Sequence, residues 1–388
     1  MRSKITIALT GAVALVAVGA TPAWAATTTW DDGGAPDDTF DNPANWAGDT
    51  VPATGDDLVF PVGDGATQDI SSPFLVNSIT LSVPGFELTG AELAIGAGGM
   101  TVTEDATIGN EVSTTGTQTW TVASGKTLTI DDTADVTGFL QVEGAGVVDF
   151  GAVNGSGILT AQQSASIVLD EGGDVQGLAI HGNGTINVAS ELAGTGVNLD
   201  GGHLSGGSLG NLGLQQIGDI AANNGVLSPG ADLLGEEAGW LLTGNVPGSS
   251  GAAYRMTLDG TDSDRIVSSG VVAPGNMALD VRSDLAAPVG TAFVIVEADG
   301  GIAADSFYRN PLTGEPLADG AEFFNGQANY RIEYNTTEIV LTFLGVPPAA
   351  QPELAATGVD IELPVALAGL LLLTGAGFAV AATRRRTV

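Results

Sequence analysis

The amino-acid sequence predicts an all-β protein built as a right-handed parallel β-helix, a solenoid of stacked coils. Glycine is abundant, with 57 residues in 388, whereas aromatic residues make up only 5% of the chain. From about residue 69 to residue 226, short runs rich in Val, Ile, Leu and Thr are separated by Gly, Asn, Asp or Ser. The runs recur about every 20 residues, a period typical of solenoids, whose coils bury their inner faces by stacking. A pair of β-sandwiches is the alternative architecture that such short strands allow.

The N-terminus has the composition of a secretory signal peptide over residues 1–25. Arg2 and Lys4 give it a basic start, and an apolar run over 5–20 follows. Ala23 and Ala25 flank a tryptophan and form the small-x-small pattern of a cleavage site. We therefore expect an exported chain whose mature part begins with an Asp- and Trp-rich N-terminal cap over residues 26–68.

The central repeats, residues 69–226, show the alternation expected of strands with one buried face. In TQTWTVASGKTLTI (117–130), apolar residues occupy every second position on both sides of a Ser-Gly turn. This pattern places one face of each strand inside and the other in solvent. Roughly eight coils of this kind are expected to build a rod.

Residues 227–345 contain longer strands and predict a C-terminal β domain that caps the solenoid. ANYRIEYNTTEIVLTFL (328–344) predicts a hairpin that turns at Asn335 and Thr336. Such a domain would protect the open end of the solenoid from edge-to-edge pairing with other chains.

The C-terminus predicts a membrane anchor preceded by a processing motif. A Pro- and Ala-rich linker with the sequence LAATG occupies 346–358, and residues 359–388 hold an uncharged apolar run over 363–382. A helix of that length matches the hydrocarbon thickness of a bilayer. Arg384, Arg385 and Arg386 follow and would hold that end of a transmembrane helix on the cytoplasmic side.

This order of signal peptide, pentapeptide, apolar span and basic tail resembles the cell-wall sorting signal of Gram-positive surface proteins. LAATG resembles the LAxTG form used by class E sortases of high-GC actinobacteria, and it has Ala where the common motif has Pro. The resemblance implies cleavage between Thr357 and Gly358 and transfer of the Thr357 carboxyl to an amine of the peptidoglycan precursor. A plain single-span anchor with a chance pentapeptide is the alternative. The sorting motif comprises Leu354, Ala355, Ala356, Thr357 and Gly358.

Two further stretches resemble autotransporter-associated β-strand repeat proteins. The opening segment, residues 30–60, has the W…NW…P…GD…F order of that family, and residues 227–246 with the strands after them resemble the ends of its passenger β-helices. The resemblance implies a β-helical stalk on the cell surface, often adhesive. We expect the sorting signal to take the place of the outer-membrane domain of that family.

The charge of the chain limits the kinds of partner it can bind, and its lack of cysteine limits how it can be stabilised. The chain has 45 acidic and 11 basic residues, a net charge of −34, and no cysteine. Such a surface repels nucleic acid, so we expect no nucleic-acid partner. Without disulfides, an exported chain depends on packing and backbone pairing for its stability.

The sequence gives little support for an enzyme. Parallel β-helices include pectate lyases and polygalacturonases, whose sites need cationic side chains, yet between residues 61 and 230 Lys126 is the sole Lys or Arg. His181 and His203 are expected in exposed Gly- and Asn-rich turns, without convergent partners. A glycosidase needs only two carboxylates, and the sequence singles out no pair.

The Asp-rich opening raises the question of a metal. Asp31, Asp32, Asp37 and Asp38 are candidate calcium ligands, although Asp beside Gly also serves local turn hydrogen bonds. No other cofactor is expected. Trp30 and Trp46 would form either a sugar platform or, as we favour, a buried cap on the first coil. Lys126, the one candidate for an intramolecular isopeptide bond, is expected to be solvated.

These observations predict a non-enzymatic stalk, coat component or adhesin, with a sortase and peptidoglycan as partners. We expect it outside the cell at the cell wall, made through a membrane-anchored precursor, with an extracellular ligand that could be a glycan or a neighbouring surface. The alternative is a surface-displayed β-helix that binds or degrades polysaccharide.

Overall fold

The computed structural model describes residues 25–169, 177–188, 196–206, 220–229 and 239–348. In this part the chain is almost entirely β and forms a β-solenoid of about eight turns, as the sequence predicts. A single turn of 3-10 helix, Pro43–Asn45, interrupts the strands. No described helix has the length and hydropathy needed to cross a bilayer. The predicted signal peptide up to residue 24, the sorting motif and the apolar span lie outside the described residues.

The strands are numbered in chain order. They are β1 Thr27–Thr29, β2 Asp57–Phe60, β3 Gly65–Gln68, β4 Phe74–Leu81, β5 Phe86–Gly90, β6 Leu93–Val102, β7 Ala106–Ile108, β8 Val112–Thr114, β9 Thr117–Val122, β10 Thr127–Val136, β11 Phe139–Gly144, β12 Val147–Asn154, β13 Ile158–Ala161, β14 Ser166–Leu169, β15 Gly177–Val188, β16 Gly196–Gly206, β17 Ile220–Pro229, β18 Trp240–Thr243, β19 Val246–Asp259, β20 Asp262–Ser263, β21 Arg265–Ser268, β22 Val272–Ala273, β23 Ala278–Ser283, β24 Ala292–Ala298, β25 Glu322–Phe324, β26 Asn329–Tyr334 and β27 Glu338–Gly345.

Parallel pairing between successive coils builds the solenoid. Asp57 on β2 pairs with Ser78 on β4, and Ser78 pairs with Gly99 on β6, so one coil takes 21 residues here. From Ala161 on β13 to Ile180 on β15 it takes 19. The predicted period of about 20 residues is therefore confirmed. This continuous parallel ladder also shows that the alternative, a pair of β-sandwiches, is wrong.

The alternation of apolar residues places a column of side chains along the inside of the solenoid. The members of one column are neighbours in register on successive coils, and each is less than 2% exposed. They are Leu58, Ile79, Met100, Trp120, Val142 and Ala161. Each coil therefore buries its inner face mainly against the coils before and after it, which makes the core one-dimensional.

The N-terminal aromatic cluster, Trp30, Phe40, Trp46 and Phe60, fills the start of this core. All four side chains are 0% exposed. The rings of Trp30 and Trp46 meet edge to face with centroids 5.0 Å apart, and Phe40 and Trp46 do the same at 5.1 Å. Trp46 Nε1 donates to the Phe40 carbonyl at 2.9 Å. The predicted burial of both tryptophans is confirmed, and neither is available as a sugar platform.

Glycine permits the close approach of neighbouring coils at their corners. Gly99 has a φ of +65°, and a Cβ there would lie 2.0 Å from the Thr119 carbonyl oxygen of the next coil. Gly116 has a φ of +73° but no atom within 4 Å of that position. Gly99 is thus required for both conformation and space, whereas Gly116 is required for conformation alone.

The parallel ladder continues beyond the repeats that the sequence reveals. The predicted boundary between residues 226 and 227 falls within β17, which pairs with β19, and β19 pairs in parallel with β23. The remaining strands form a six-stranded sheet in the order β18-β21-β24-β27-β26-β25. Its first three strands are parallel, and β24 to β25 are antiparallel.

The predicted hairpin over 328–344 is confirmed by the antiparallel pairing of β26 with β27. Tyr330 pairs with Phe343 and Ile332 pairs with Leu341, and all four side chains are buried. The chain divides into two units, Met1–Val346 and Pro347–Val388, of which the second lies almost wholly outside the described residues.

Candidate functional site

The sequence-predicted site residues fall into two groups. Ala25 is the only residue of the predicted cleavage site or sorting signal that the structure describes. The sorting motif, Leu354 to Gly358, and the basic tail, Arg384 to Arg386, lie outside the described residues. The structure therefore shows only the surroundings of the candidate calcium ligands, the histidines and Lys126.

Of the candidate calcium ligands, Asp31 and Asp37 are exposed, whereas Asp32 and Asp38 are partly buried. Asp31 accepts a hydrogen bond from the Gly33 amide, and Asp37 accepts from the Thr39 hydroxyl and the Asn42 amide. Burial, and then the charges of Asp38, Asp64 and Asp31, raise the pKa of Asp32. Within the described residues, no three Asp, Glu or His side chains are grouped to hold a metal ion. The bond from Gly33 to Asp31 is the local turn bond expected of Asp near Gly, and the bonds of Asp37 to Thr39 and Asn42 are also local in sequence.

The two histidines lie in strands, so their prediction as turn residues is wrong. His181 is on β15 and pairs with Asp200, and His203 is on β16 and pairs with Thr185. Parallel partners satisfy the backbone of these glycine-rich segments, which keeps them extended.

Lys126 forms an ion pair with Glu104, with 2.5 Å between Nζ and Oε2, and is about one-third exposed. Its ammonium is thus paired and partly solvated.

A pocket that the sequence does not reveal lies at the β18 edge of the six-stranded sheet. Its volume is about 290 Å³. We call it the Trp240 pocket. Its lining contains the partly exposed Trp240 and Arg265, the exposed Thr261 and Asp262, and strand residues whose side chains are more deeply buried, such as Phe293. The lining residues are Trp240, Thr261, Asp262, Ser263, Arg265, Ala292, Phe293 and Val294.

Regular structure positions both sides of the Trp240 pocket. Trp240 and Arg265 begin β18 and β21 and are paired in register. On the other side, β19 and β20 form a hairpin with Gly260 and Thr261 as its two-residue turn, where Gly260 has a φ of +58°. This hairpin presents Thr261 and Asp262 to the pocket.

The buried carboxylate of Asp264 joins the two sides. Asp264 is 1% exposed. Its Oδ1 accepts from the Gly239 amide at 2.8 Å, and its Oδ2 accepts from the Thr257 amide at 2.7 Å. A buried carboxylate bound by two backbone amides is a strong local constraint, since charge-assisted hydrogen bonds are short and strong. Asp264 therefore fixes the start of β18, next to Trp240, against β19.

The charge of Arg265 is already compensated. Its guanidinium carbon lies 5.0 Å from the centre of the Trp240 ring. Nη1 donates to Glu297 at 2.6 Å and Nε donates to the Val294 carbonyl at 3.0 Å. With Glu297 as its partner and Asp262 in the lining, the Trp240 pocket is not an anion site.

Comparison with known proteins adds no assignment to this geometry. No family model matches the chain, and no curated protein matches it. The sequence draws attention to Trp240 itself, because AGWLLTG (238–244) holds a lone tryptophan in a segment poor in aromatic residues, but it does not reveal a pocket. The other residues that line the pocket come from strands that are distant from Trp240 in sequence.

Proposed function

We propose that the chain is a cell-surface stalk that a sortase joins to peptidoglycan through Thr357. The observation that carries the proposal is the order of LAATG (354–358), an uncharged run over 363–382 and three consecutive arginines. Cleavage before Gly358 would leave the Thr357 carboxyl bound to the wall and the apolar run in the membrane. The exported part would then act at the cell wall as a stalk, coat component or adhesin of an actinobacterial cell.

The solenoid suits such a stalk. Parallel strands in successive coils lie about 4.8 Å apart, so about eight coils produce a rod on the order of 40 Å long. The sequence carries a strong negative charge, with 45 acidic residues against 11 basic ones. This charge keeps neighbouring copies apart and the rod soluble.

The ends of the rod complete the proposed architecture. We assign a right-handed coil to the solenoid, because crossover connections between parallel strands are overwhelmingly right-handed. The N-terminal aromatic cluster closes the first coil, and the six-stranded sheet acts as the C-terminal cap. Tyr254 on β19 supports the cap assignment, because its hydroxyl donates to the Ile295 carbonyl on β24 at 2.8 Å.

Cell fractionation of Thr357→Ala tests the anchor. In the native host, the unchanged chain should appear in the wall fraction and be released by muramidase. Thr357→Ala should move it to the membrane or the medium, since the acyl-enzyme forms at this residue. The matched control is Thr383→Ala, which removes a threonine on the far side of the apolar run and should leave the wall fraction unchanged. Persistence of Thr357→Ala in muramidase-released material would refute the sorting proposal.

The alternative function, degradation of polysaccharide, makes a separate prediction. Lys126, the only Lys or Arg between residues 61 and 230, is paired with Glu104 and is not poised as a free base. For a glycosidase, the sequence singles out no pair of carboxylates. On both grounds we expect no release of reducing sugar from uronate polymers or neutral polysaccharides by the purified chain. Turnover that disappears on replacing one pair of Asp residues would overturn the non-enzymatic assignment.

A further inference from the structure

We propose that the Trp240 pocket binds a neutral sugar unit of a glycan. The proposal does not depend on wall attachment, because it concerns a pocket formed wholly by described residues of the exported part. The lining combines aromatic surface with a few polar groups at fixed positions, which is the usual composition of a small-molecule site.

The size of the pocket limits the ligand. Its volume of about 290 Å³ lies just below the roughly 300–1,000 Å³ of pockets that hold drug-sized molecules. A ligand about as large as one sugar ring therefore fits, with the rest of a glycan chain left in solvent.

The charges select a neutral ligand. Arg265 is the only cationic side chain in the lining, and Glu297 already binds it. Asp262 adds an exposed carboxylate to the same wall. An anionic ligand, such as a phosphate or a uronate, would meet more negative than positive charge there and would have to displace Glu297.

The polar groups match a polyhydroxylated ring. Asp262 offers carboxylate acceptors, Thr261 offers an exposed hydroxyl, and Arg265 keeps its Nη2 without a partner among the described residues. One face of a sugar ring is largely C–H and packs on an aromatic ring, while its hydroxyls require donors and acceptors at the edge. Trp240 is partly exposed, and the part of its ring that the Arg265 guanidinium leaves uncovered would supply that aromatic surface.

The pocket is held open by the fold itself. Asp264 ties Gly239 to Thr257, and the β19–β20 hairpin is closed by a two-residue turn. Groups on strands and tight hairpins keep their positions without a ligand, so little ordering is needed on binding.

Trp240 also provides a spectroscopic readout. Trp30, Trp46 and Trp120 are 0% exposed, whereas Trp240 is partly exposed. The fifth tryptophan, Trp24, lies outside the described residues, so the signal of Trp240 is taken as the difference in acrylamide quenching between the unchanged chain and Trp240→Phe. A bound sugar should reduce this quenching, and Trp240→Phe should remove the effect while keeping an aromatic ring in the pocket.

The test uses the full chain in detergent micelles, applied to an array of neutral and uronate-bearing oligosaccharides. At least one neutral oligosaccharide should bind and protect Trp240 from acrylamide. Its affinity should fall by about 10-fold or more in Asp262→Ala and in Trp240→Ala, as expected when a hydrogen-bonding or stacking partner is lost.

Matched controls separate loss of binding from loss of folding. Asp259→Ala removes the carboxylate that faces Asp262 across the hairpin but does not line the pocket. Phe324→Ala removes an aromatic ring that is 41% exposed at the opposite edge of the same sheet. Both should bind as the unchanged chain does. If Trp240→Ala fails to fold by circular dichroism, Asp262→Ala and Trp240→Phe carry the test.

Three results would overturn the proposal: no neutral oligosaccharide binds, only uronate-bearing ones bind, or binding is the same in Asp262→Ala and Asp259→Ala. None of them bears on the anchor, which is tested by the fractionation of Thr357→Ala. Failure of the sugar site and failure of the wall anchor are therefore distinct outcomes.

Discussion

Replacing Trp46 with alanine should lower the free energy of unfolding of the first coils by about 4 kcal/mol. Truncation of a fully buried Trp or Phe to Ala costs about 3–5 kcal/mol. Trp46 is 0% exposed, and its ring centroid lies within 6 Å of those of Trp30, Phe40 and Phe60. Its indole N–H is also the donor to the buried Phe40 carbonyl. Because this hydrogen bond is lost as well, we expect a cost above the lower end of that range.

A graded variant separates packing from hydrogen bonding. Trp46→Phe keeps an aromatic ring beside Trp30 and loses the bond to the Phe40 carbonyl. Its expected cost is about 1–2 kcal/mol, the value of an unsatisfied buried carbonyl with a small loss of packing. The order of stability should be the unchanged chain, Trp46→Phe and Trp46→Ala.

Hydrogen exchange is the appropriate assay, because a solenoid transmits destabilisation mainly to neighbouring coils. In Trp46→Ala, amide exchange should accelerate most in β1 to β4 and least in β19 and β23. Uniform acceleration along the described strands would contradict a one-dimensional core. A change below about 1 kcal/mol would contradict the capping role of the N-terminal aromatic cluster.

Three further predictions concern backbone conformation, buried hydroxyls and pH. Gly99→Ala should lower the free energy of unfolding in urea clearly more than Gly116→Ala does. Both substitutions place an alanine in the left-handed region, at a cost of about 1–2 kcal/mol, but only the Cβ at position 99 clashes with a carbonyl oxygen. Equal costs for the two variants would contradict the close approach of neighbouring coils at Gly99. Tyr254→Phe should lower the free energy of unfolding by about 1–2 kcal/mol, because it leaves the Ile295 carbonyl without its donor. Tyr308→Phe should be neutral or stabilising, because the buried Tyr308 hydroxyl has no partner among the described residues. The reverse order of stability would refute both assignments. Burial raises the pKa of all four tyrosines, so the stability they contribute is complete below the unfolded pKa of about 10 and is lost as pH rises beyond it. Tyrosinate absorbance should accordingly appear only together with loss of the β-sheet circular dichroism signal, and its appearance in folded protein would contradict that burial.

The periodic parts of the fold could be predicted because burial imposes the pattern. Trp120, Val122, Leu128 and Ile130 alternate with polar residues in the sequence, and all four face the core. The hairpin of β26 and β27 could be predicted for the same reason, since both strands alternate around a short polar turn. In these cases the alternation within a single strand is enough to predict which of its side chains are buried.

The extent of the solenoid could not be read from the sequence in the same way. Strand β19 is longer than the repeats before it, and this change suggested the start of another domain. Its backbone nevertheless pairs in parallel with β17 and β23, and strand length does not prevent such stacking. The glycine-rich segments around His181 and His203 were predicted as turns for a related reason. Their backbone pairs with a strand on each side, and this pairing outweighs the preference of glycine for turns.

The Trp240 pocket could not be predicted because its residues meet only through strand pairing. Trp240 and Arg265 are 25 residues apart and become neighbours through the parallel register of β18 and β21. Nothing in the sequence states that register. The buried Trp30 and Trp46 show the opposite case, in which a conspicuous pair of tryptophans serves the core and not a ligand.

The most direct test of the proposed anchor is mass spectrometry of the protein that muramidase releases from walls of the native host. We predict a C-terminal peptide that ends at Thr357 and is joined through an amide bond to a peptidoglycan fragment, with Gly358 and all residues after it absent. Recovery of mature chains that still carry the apolar run and Arg384 to Arg386 would contradict covalent attachment.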